Sequence, residues 1–345
     1  MTSINTTANG GMGGSTRIAS DIDFEADGKQ VSYLRLPFSV HRSAYGHIAI
    51  PIAVIKNGKG PTLLAMSGNH GDEYEGQIAN TKLIRSLEPK DIKGRVIVLP
   101  AANFPAAMAG MRTSPIDDGN LNRTFPGDRD GTPTWMISHY IETVLVPLAD
   151  VILDLHSGGS SLLYIPSALV AVSSDPKRTA KLLALVEAFG APVGYVNIGG
   201  GGDRTSTGAA ERAGKLRLGT ELGGAGTAGV ESTRIAEEGL RRTLEHMGIV
   251  EKTSLTTAKP KTRLMDVGGD DYYCYAPEPG LFEPYVDLGA MVKKGQAAGA
   301  VQFVDNPLRE PVIARFARDG MVLCKRVPGR VERGDCLFHL ATDRK

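Results

Sequence analysis

Three stretches of the chain carry residue types that hold a metal ion and move a proton. In Ser67-Gly68-Asn69-His70-Gly71-Asp72-Glu73-Tyr74-Glu75-Gly76, His70 and Glu73 stand three apart, close enough to reach one ion from a single turn. A neutral imidazole and a carboxylate are ligands that catalytic zinc favours, and a second histidine completes a set that leaves a fourth position for water. Val151-Ile152-Leu153-Asp154-Leu155-His156 supplies that histidine at the end of an apolar run, followed by the small residues Ser157-Gly158-Gly159. Glu221, in Leu216-Arg217-Leu218-Gly219-Thr220-Glu221-Leu222-Gly223-Gly224, closes another apolar run and is the candidate general base. It would take a proton from water whose pKa a zinc ion lowers to about 7. A histidine with a glutamate three residues on is common on surface turns. What favours a site is that all three pieces fall at the ends of strand-like runs, where open α/β sheets bind their ligands.

Between the first two stretches runs a long segment, Gly110 to Gly127, with turn-forming residues at nearly every position. Compact domains keep connections short, so such a loop is usually functional. Arg112 is placed to polarise a carbonyl and stabilise an oxyanion. Arg123 is placed to hold a substrate carboxylate through its bidentate fork, with Asn122 completing the clamp; lysine would be a poor substitute there. The competing arrangement pairs these arginines with Asp117 and Asp118 on the surface.

The elements that must position these residues alternate between strand and helix. His47 to Ile55, Pro61 to Met66, Arg95 to Pro100, Val151 to Leu155 and Leu216 to Leu222 read as strands. Ala79, Leu83, Ile84 and Leu87 share one side of a helix, and Thr134 to Leu148, Arg178 to Phe189 and Ser232 to Met247 have helical patterns, with Ser232 as N-cap and Gly248 as the stop. The fold class expected is α/β, a mostly parallel twisted sheet with helices on both faces. Residues 251–263 lose apolar periodicity and read as a linker, so the chain divides into a flexible arm over 1–25, a main domain over 26–258 and a C-terminal module over 259–345. The module's short Val, Tyr and Phe-rich runs, punctuated by glycine, read as all-β.

Composition narrows the field. The 345 residues hold 39 Lys plus Arg against 38 Asp plus Glu, a net charge of +1, which removes the electrostatic footprint of a nucleic-acid binder. No run approaches the roughly 20 apolar residues of a membrane span. Three cysteines, Cys274, Cys324 and Cys336, match no zinc or redox spacing and read as reduced thiols in a cytoplasmic protein. Gly199 to Gly202 precede no Gly-Lys-Ser/Thr, so a phosphate loop is rejected in favour of a mobile loop near the pocket. His41, His47, His139, His246 and His339 show no partner pattern, and Trp135 reads as packing on a helix face.

Taken together, Gly68-Asn69-His70-Gly71-Asp72-Glu73, the Arg112 segment, Asn120-Leu121-Asn122-Arg123, Asp154-Leu155-His156 and Glu221-Leu222-Gly223-Gly224 resemble, in order and spacing, the succinylglutamate desuccinylase/aspartoacylase family of zinc carboxypeptidase-like deacylases. The resemblance covers roughly residues 45–250. It implies one Zn2+ per chain on His70, Glu73 and His156, Arg112 as carbonyl polariser, Asn122 and Arg123 as the carboxylate site, and Glu221 as base and acid. The implied partner is a small N-acyl amino acid whose amide is hydrolysed, and a homo-oligomer is compatible with it. Within the family, His70 to Gly76 with Arg112 to Asp117 and Gly119 to Arg123 is most similar to the branch that deacetylates N-α-acetyl-L-2,4-diaminobutyrate in ectoine degradation. That substrate carries an ammonium, for which Asp118, Glu75 and Asp203 are candidate partners. The alternatives are another N-acyl amino acid, a carboxypeptidase, or a non-catalytic zinc protein, against which Glu221 argues. The tail, with Leu281-Phe282-Glu283, Asp287 to Gln296, Gly320-Met321-Val322 and Val331 to Asp335, resembles a biotinyl/lipoyl-type barrel sandwich. Asn306 to Glu310 between its halves has no lysine, so no cofactor attachment is expected, and the module is expected to shape the active-site mouth or an oligomer contact.

Overall fold

The computed structural model describes residues 16–251 and 261–344. Ten strands belong to the first part and its junction: β1 (Gly28–Pro37), β2 (His47–Asn57), β3 (Thr62–Ser67), β4 (Gly94–Leu99), β5 (Val151–Leu155), β6 (Leu162–Tyr164), β7 (Ser167–Ala171), β8 (Val193–Asn197), β9 (Leu216–Glu221) and β10 (Arg263–Val267). The helices are α1 (Tyr74–Ser86), α2 (Phe104–Ala109), α3 (Pro133–Tyr140), α4 (Val146–Leu148), α5 (Pro176–Phe189), α6 (Ser206–Arg212) and α7 (Val230–His246). A π turn over Ile141–Leu145 joins α3 to α4. Beyond β10 come β11 (Tyr273–Tyr275), β12 (Gly280–Pro284), β13 (Met291–Val292), β14 (Ala297–Gln302), β15 (Val312–Arg315), β16 (Gly320–Arg326), β17 (Arg330–Val331) and β18 (Cys336–Asp343).

The large sheet runs in the order β1-β2-β4-β3-β5-β9-β7-β8-β10-β18-β16-β13, with β11 on β18 and β6 on β16. It is mixed, a correction to the mostly parallel sheet expected. The pairs β3·β4, β3·β5, β5·β9, β7·β8 and β8·β10 are parallel, whereas β1·β2, β2·β4 and β7·β9 are antiparallel. A parallel neighbour needs a crossover of about a dozen residues or more, and the short connection from β1 to β2 forbids one. After β5 the chain runs through β6 to β7 with no helix between, and β7 enters opposed to β9.

Helices cover both faces because each strand of the centre is buried on both sides. One core joins Leu83 of α1, Phe189 of α5 and Leu240 of α7 to Leu63, Val98 and Leu153 of the sheet. The other packs Ile137, Leu145 and Ala209 against Leu64, Ile97 and Ile152. Helix α7 starts one turn before the expected cap: Gly229 is its N-cap, and Ser232 instead points inward, its hydroxyl donating to Glu75 Oε1 at 3.0 Å. Gly248, at φ 71°, stops the helix as anticipated.

Among the described residues after Ile249, the only helical element is the 3-10 turn Asp270–Tyr272. These strands continue the large sheet through β8·β10 and β10·β18, and a second sheet, β15-β14-β12-β17, stacks beside them. A third core runs from Val193 and Tyr195 of β8 to Phe282, Phe316 and Phe338. The centre of the linker expected at 251–263 lies outside the described residues, as does most of the N-terminal arm.

Candidate metal centre

Register brings the pieces together. Ser67 pairs with Leu155 across β3·β5, and Asp154 with Gly219 across β5·β9, so the three parallel strands release His70, His156 and Glu221 at one edge of the sheet. The turn from β3 into α1 is compressed against α2. Gly68 turns at φ 67°, and a Cβ on Gly71 would lie 2.0 Å from the backbone carbonyl of Ala106. Only glycine permits that approach.

Glu73 lies between the two imidazoles. Its Oε1 is 2.6 Å from His70 Nδ1 and its Oε2 2.8 Å from His156 Nδ1; the Ser157 amide also donates to Oε2. The outer nitrogens meet acceptors: His70 Nε2 the Oδ1 of Asn120 at 3.1 Å, and His156 Nε2 the Oδ2 of Asp154 at 3.0 Å. Outer acceptors fix the tautomer, leaving both Nδ1 lone pairs turned toward the Glu73 carboxylate. Facing acceptors are tolerated only with a proton or a cation between them. His70, Glu73 and His156, all buried with ligand atoms within 4.8 Å of one another, therefore form a His2Glu donor set that fits a zinc ion.

Asp154 is the hub behind this set. Asn69 Nδ2, Ser206 Oγ and Arg217 Nη2 all donate to it, at 2.8, 2.5 and 2.9 Å, and it is wholly buried. Burial favours its neutral form, but His156 and Arg217 hold its carboxyl well below the usual carboxylate range. The same balance operates in His156: burial opposes the charged ring, and Asp154 and Glu73 outweigh it and raise its pKa.

A cavity of about 310 Å³ opens from these ligands. Glu221 lines it with Oε2 lacking any hydrogen-bond partner, and burial and the Glu73 charge push its carboxyl up to about 8. Arg112 reaches to 3.4 Å from His70 Nδ1 and 3.7 Å from Glu73 Oε1, with its side chain about half exposed. Arg123 and Asn122 also line the cavity. Asn122 Oδ1 accepts from the Ser206 amide, which ties the loop to α6. Desolvation and the nearby Arg112 lower the pKa of Arg123, as for two guanidiniums facing the same space. The surface pairing with Asp117 does not form: that carboxylate instead accepts from Thr132 and Thr134. Asp118, Glu75 and Asp203 are absent from the lining.

The sequence reading passed over several lining residues. Arg217, 7% exposed, is one; an arginine between leucines in an interior strand is itself a sign of a buried ion pair. Tyr164 of β6, Tyr195 and Asn197 of β8 and Thr205 before α6 also face the cavity, and His339, set aside as partnerless, packs behind them.

Comparison with known proteins agrees with this geometry. Residues 59–247 match the succinylglutamate desuccinylase/aspartoacylase catalytic domain. The chain is 43% identical, over 94% of each chain, to the N-alpha-acetyl-L-2,4-diaminobutyric acid deacetylase of Halomonas elongata. A crystal structure of a succinylglutamate desuccinylase/aspartoacylase from Rhodobacter sphaeroides superposes with a TM-score of 0.90 at 44% identity, covering 96% of this chain and 100% of that one. The product-bound ectoine utilization protein EutE (DoeB) of Ruegeria pomeroyi superposes with a TM-score of 0.91 at 39% identity, covering 95% and 99%. The chain belongs to the succinylglutamate desuccinylase/aspartoacylase family.

Proposed function

We propose that this protein is a zinc-dependent amidohydrolase that deacetylates N-α-acetyl-L-2,4-diaminobutyrate, releasing acetate and L-2,4-diaminobutyrate in ectoine degradation. The observation that carries the chemistry is a His2Glu donor set and an unpartnered carboxylate, Glu221, on the same cavity. The substrate assignment rests on similarity to the Halomonas deacetylase and the Ruegeria protein.

His70, Glu73 and His156 would hold the ion, which when bound polarises the acyl carbonyl and acidifies the attacking water. The chain's own groups do the rest. Arg123 and Asn122 take the substrate carboxylate, fixing the amide against the site. Glu221 accepts the proton of the attacking water, and its raised basicity suits it for that transfer. Arg112 donates to the developing oxyanion, and Glu221 then returns the proton to the departing amine nitrogen, completing hydrolysis.

Two measurements test this. In a panel of N-acetyl-diaminobutyrate, N-acetylaspartate, N-succinylglutamate and short peptides, the first should show the highest kcat/KM; a faster reaction with any other displaces the substrate assignment. Glu221→Gln should keep its zinc by elemental analysis yet lose about 10²–10⁴ in kcat, because only the proton acceptor is removed. Near-normal turnover in that variant would exclude Glu221 as the base.

A further inference from the structure

Resting on the substrate reading above, we propose that the substrate's side-chain ammonium is received by an acid-free wall of the cavity formed by Tyr164, Tyr195 and Asn197, and that His339 positions this wall from the C-terminal strands. The obvious partner for an ammonium is a carboxylate, yet among the described residues the carboxylates lining the cavity are Glu73 and Glu221. Glu73 is committed to two imidazoles, and Glu221 faces the bond being broken. The three acids that sequence alone offered lie elsewhere. Glu75 is sealed behind Ser232, and Asp118 and Asp203 are exposed.

The wall suits a small cation for two reasons. First, its groups are neutral acceptors. Burial, and for both phenols the charge of Glu221, keep Tyr164 and Tyr195 well above the ordinary tyrosine pKa, so their hydroxyls stay un-ionised. Asn197 Oδ1 accepts one bond from the Gly199 amide and retains a second lone pair. Second, the charge of the buried guanidinium on the lining is balanced. Arg217 donates to the buried Asp154 at 2.9 Å, so its charge is held by that carboxylate and does not stand against an ammonium at the wall. The arrangement therefore favours an amine over an uncharged side chain of the same length.

The backing comes from β11 and β18. The His339 ring stacks on Tyr273 at 4.4 Å, its Nδ1 lies 3.5 Å from the Tyr164 hydroxyl, and it stands edge-on to Tyr195 at 6.3 Å. His339 is a positioning residue: it touches Tyr164 and Tyr195 and does not itself line the cavity.

The test uses the zinc-loaded full chain and two substrates, N-α-acetyl-L-2,4-diaminobutyrate and N-acetyl-L-norvaline, in which a methyl replaces the ammonium. The ratio of their kcat/KM values, taken on one preparation, is independent of any misfolded fraction. Tyr195→Phe and Asn197→Leu should each lower that ratio by about tenfold, the loss of one hydrogen bond to a charged group, and His339→Phe should lower it mainly through KM for the amine substrate. A high wild-type ratio that neither Tyr195→Phe nor Asn197→Leu moves by more than about twofold overturns the subsite alone. So does a collapse of the ratio in Asp118→Asn or Asp203→Asn. A wild-type ratio at or below unity overturns the substrate reading and the subsite with it.

Discussion

At the scale of single residues, the centre is organised by what stands behind the ligands. His70 and His156 present Nδ1 inward because Asn120 and Asp154 accept hydrogen bonds from their Nε2–H groups. The two supports differ in depth. Asp154 is wholly buried and neutralises the buried Arg217, whereas the contact to Asn120 is partly open. Asn120→Ala should therefore weaken zinc binding by about tenfold with little change in Tm, the ordinary cost of losing an outer partner of a metal-bound histidine. Asp154→Asn should lose more, up to about 100-fold in zinc affinity. It should also destabilise the apo protein by ~3–5 kcal/mol, since it strands a buried guanidinium. Chelator competition and thermal unfolding measure both; equal Tm values for the two variants would show that Arg217 does not depend on Asp154 for its charge balance.

At the scale of elements, what the sequence makes legible and what it conceals divide by length and pattern. Strands β3, β5 and β9 are apolar runs ending in chemically unusual residues, so both they and His70, Glu73, His156 and Glu221 could be read directly. Strand β6 spans three residues, all half-buried, and offers no alternation to detect. Helix α6 has seven residues in a Gly-rich stretch; its one signal was Thr205, whose hydroxyl caps the helix by accepting from the Gly208 amide. These hidden elements carry Tyr164 and Ser206, which explains why the far side of the cavity and the support of Asp154 escaped notice. The mixed sheet was equally out of reach, because strand direction depends on which neighbour a strand finds. The element most sensitive to change is the turn between β3 and α1. Gly71→Ala would drive a Cβ to 2.0 Å from the Ala106 carbonyl, and neither backbone can yield without moving His70 or α2. The expected result is a loss of ~2 kcal/mol or more, in the range of an overpacked interior site, together with depleted zinc. Gly248→Ala, where a Cβ meets open space, should cost ~1 kcal/mol from its left-handed φ alone and leave zinc intact. Matched zinc loss in both would indicate general destabilisation instead of a displaced ligand.

At the scale of the whole molecule, the C-terminal strands are bound into the catalytic half by β8·β10, by β6·β16 and by the core that joins Tyr195 to Phe338. His339 sits at that junction, enclosed by Tyr164 of β6, Tyr195 of β8 and Tyr273 of β11, with Nε2 unpartnered. Among the described residues no carboxylate counters its burial, and desolvation pushes its pKa down to about 4. The sign follows from linkage. The unfolded chain binds this proton near pH 6.5 and the folded chain only near pH 4, so the unfolded state holds more protons between those values. Stability from the neutral ring is complete above about pH 6.5 and falls as pH drops toward 4, by ~3 kcal/mol across the window. His339→Phe keeps an aromatic ring against Tyr273 but cannot take up the proton. Urea unfolding at pH 7.5 and pH 4.5 should show the wild type losing ~2–3 kcal/mol more than this variant between the two conditions. Equal losses would mean that the ring finds a partner for its charge and that the junction opens by another route in acid.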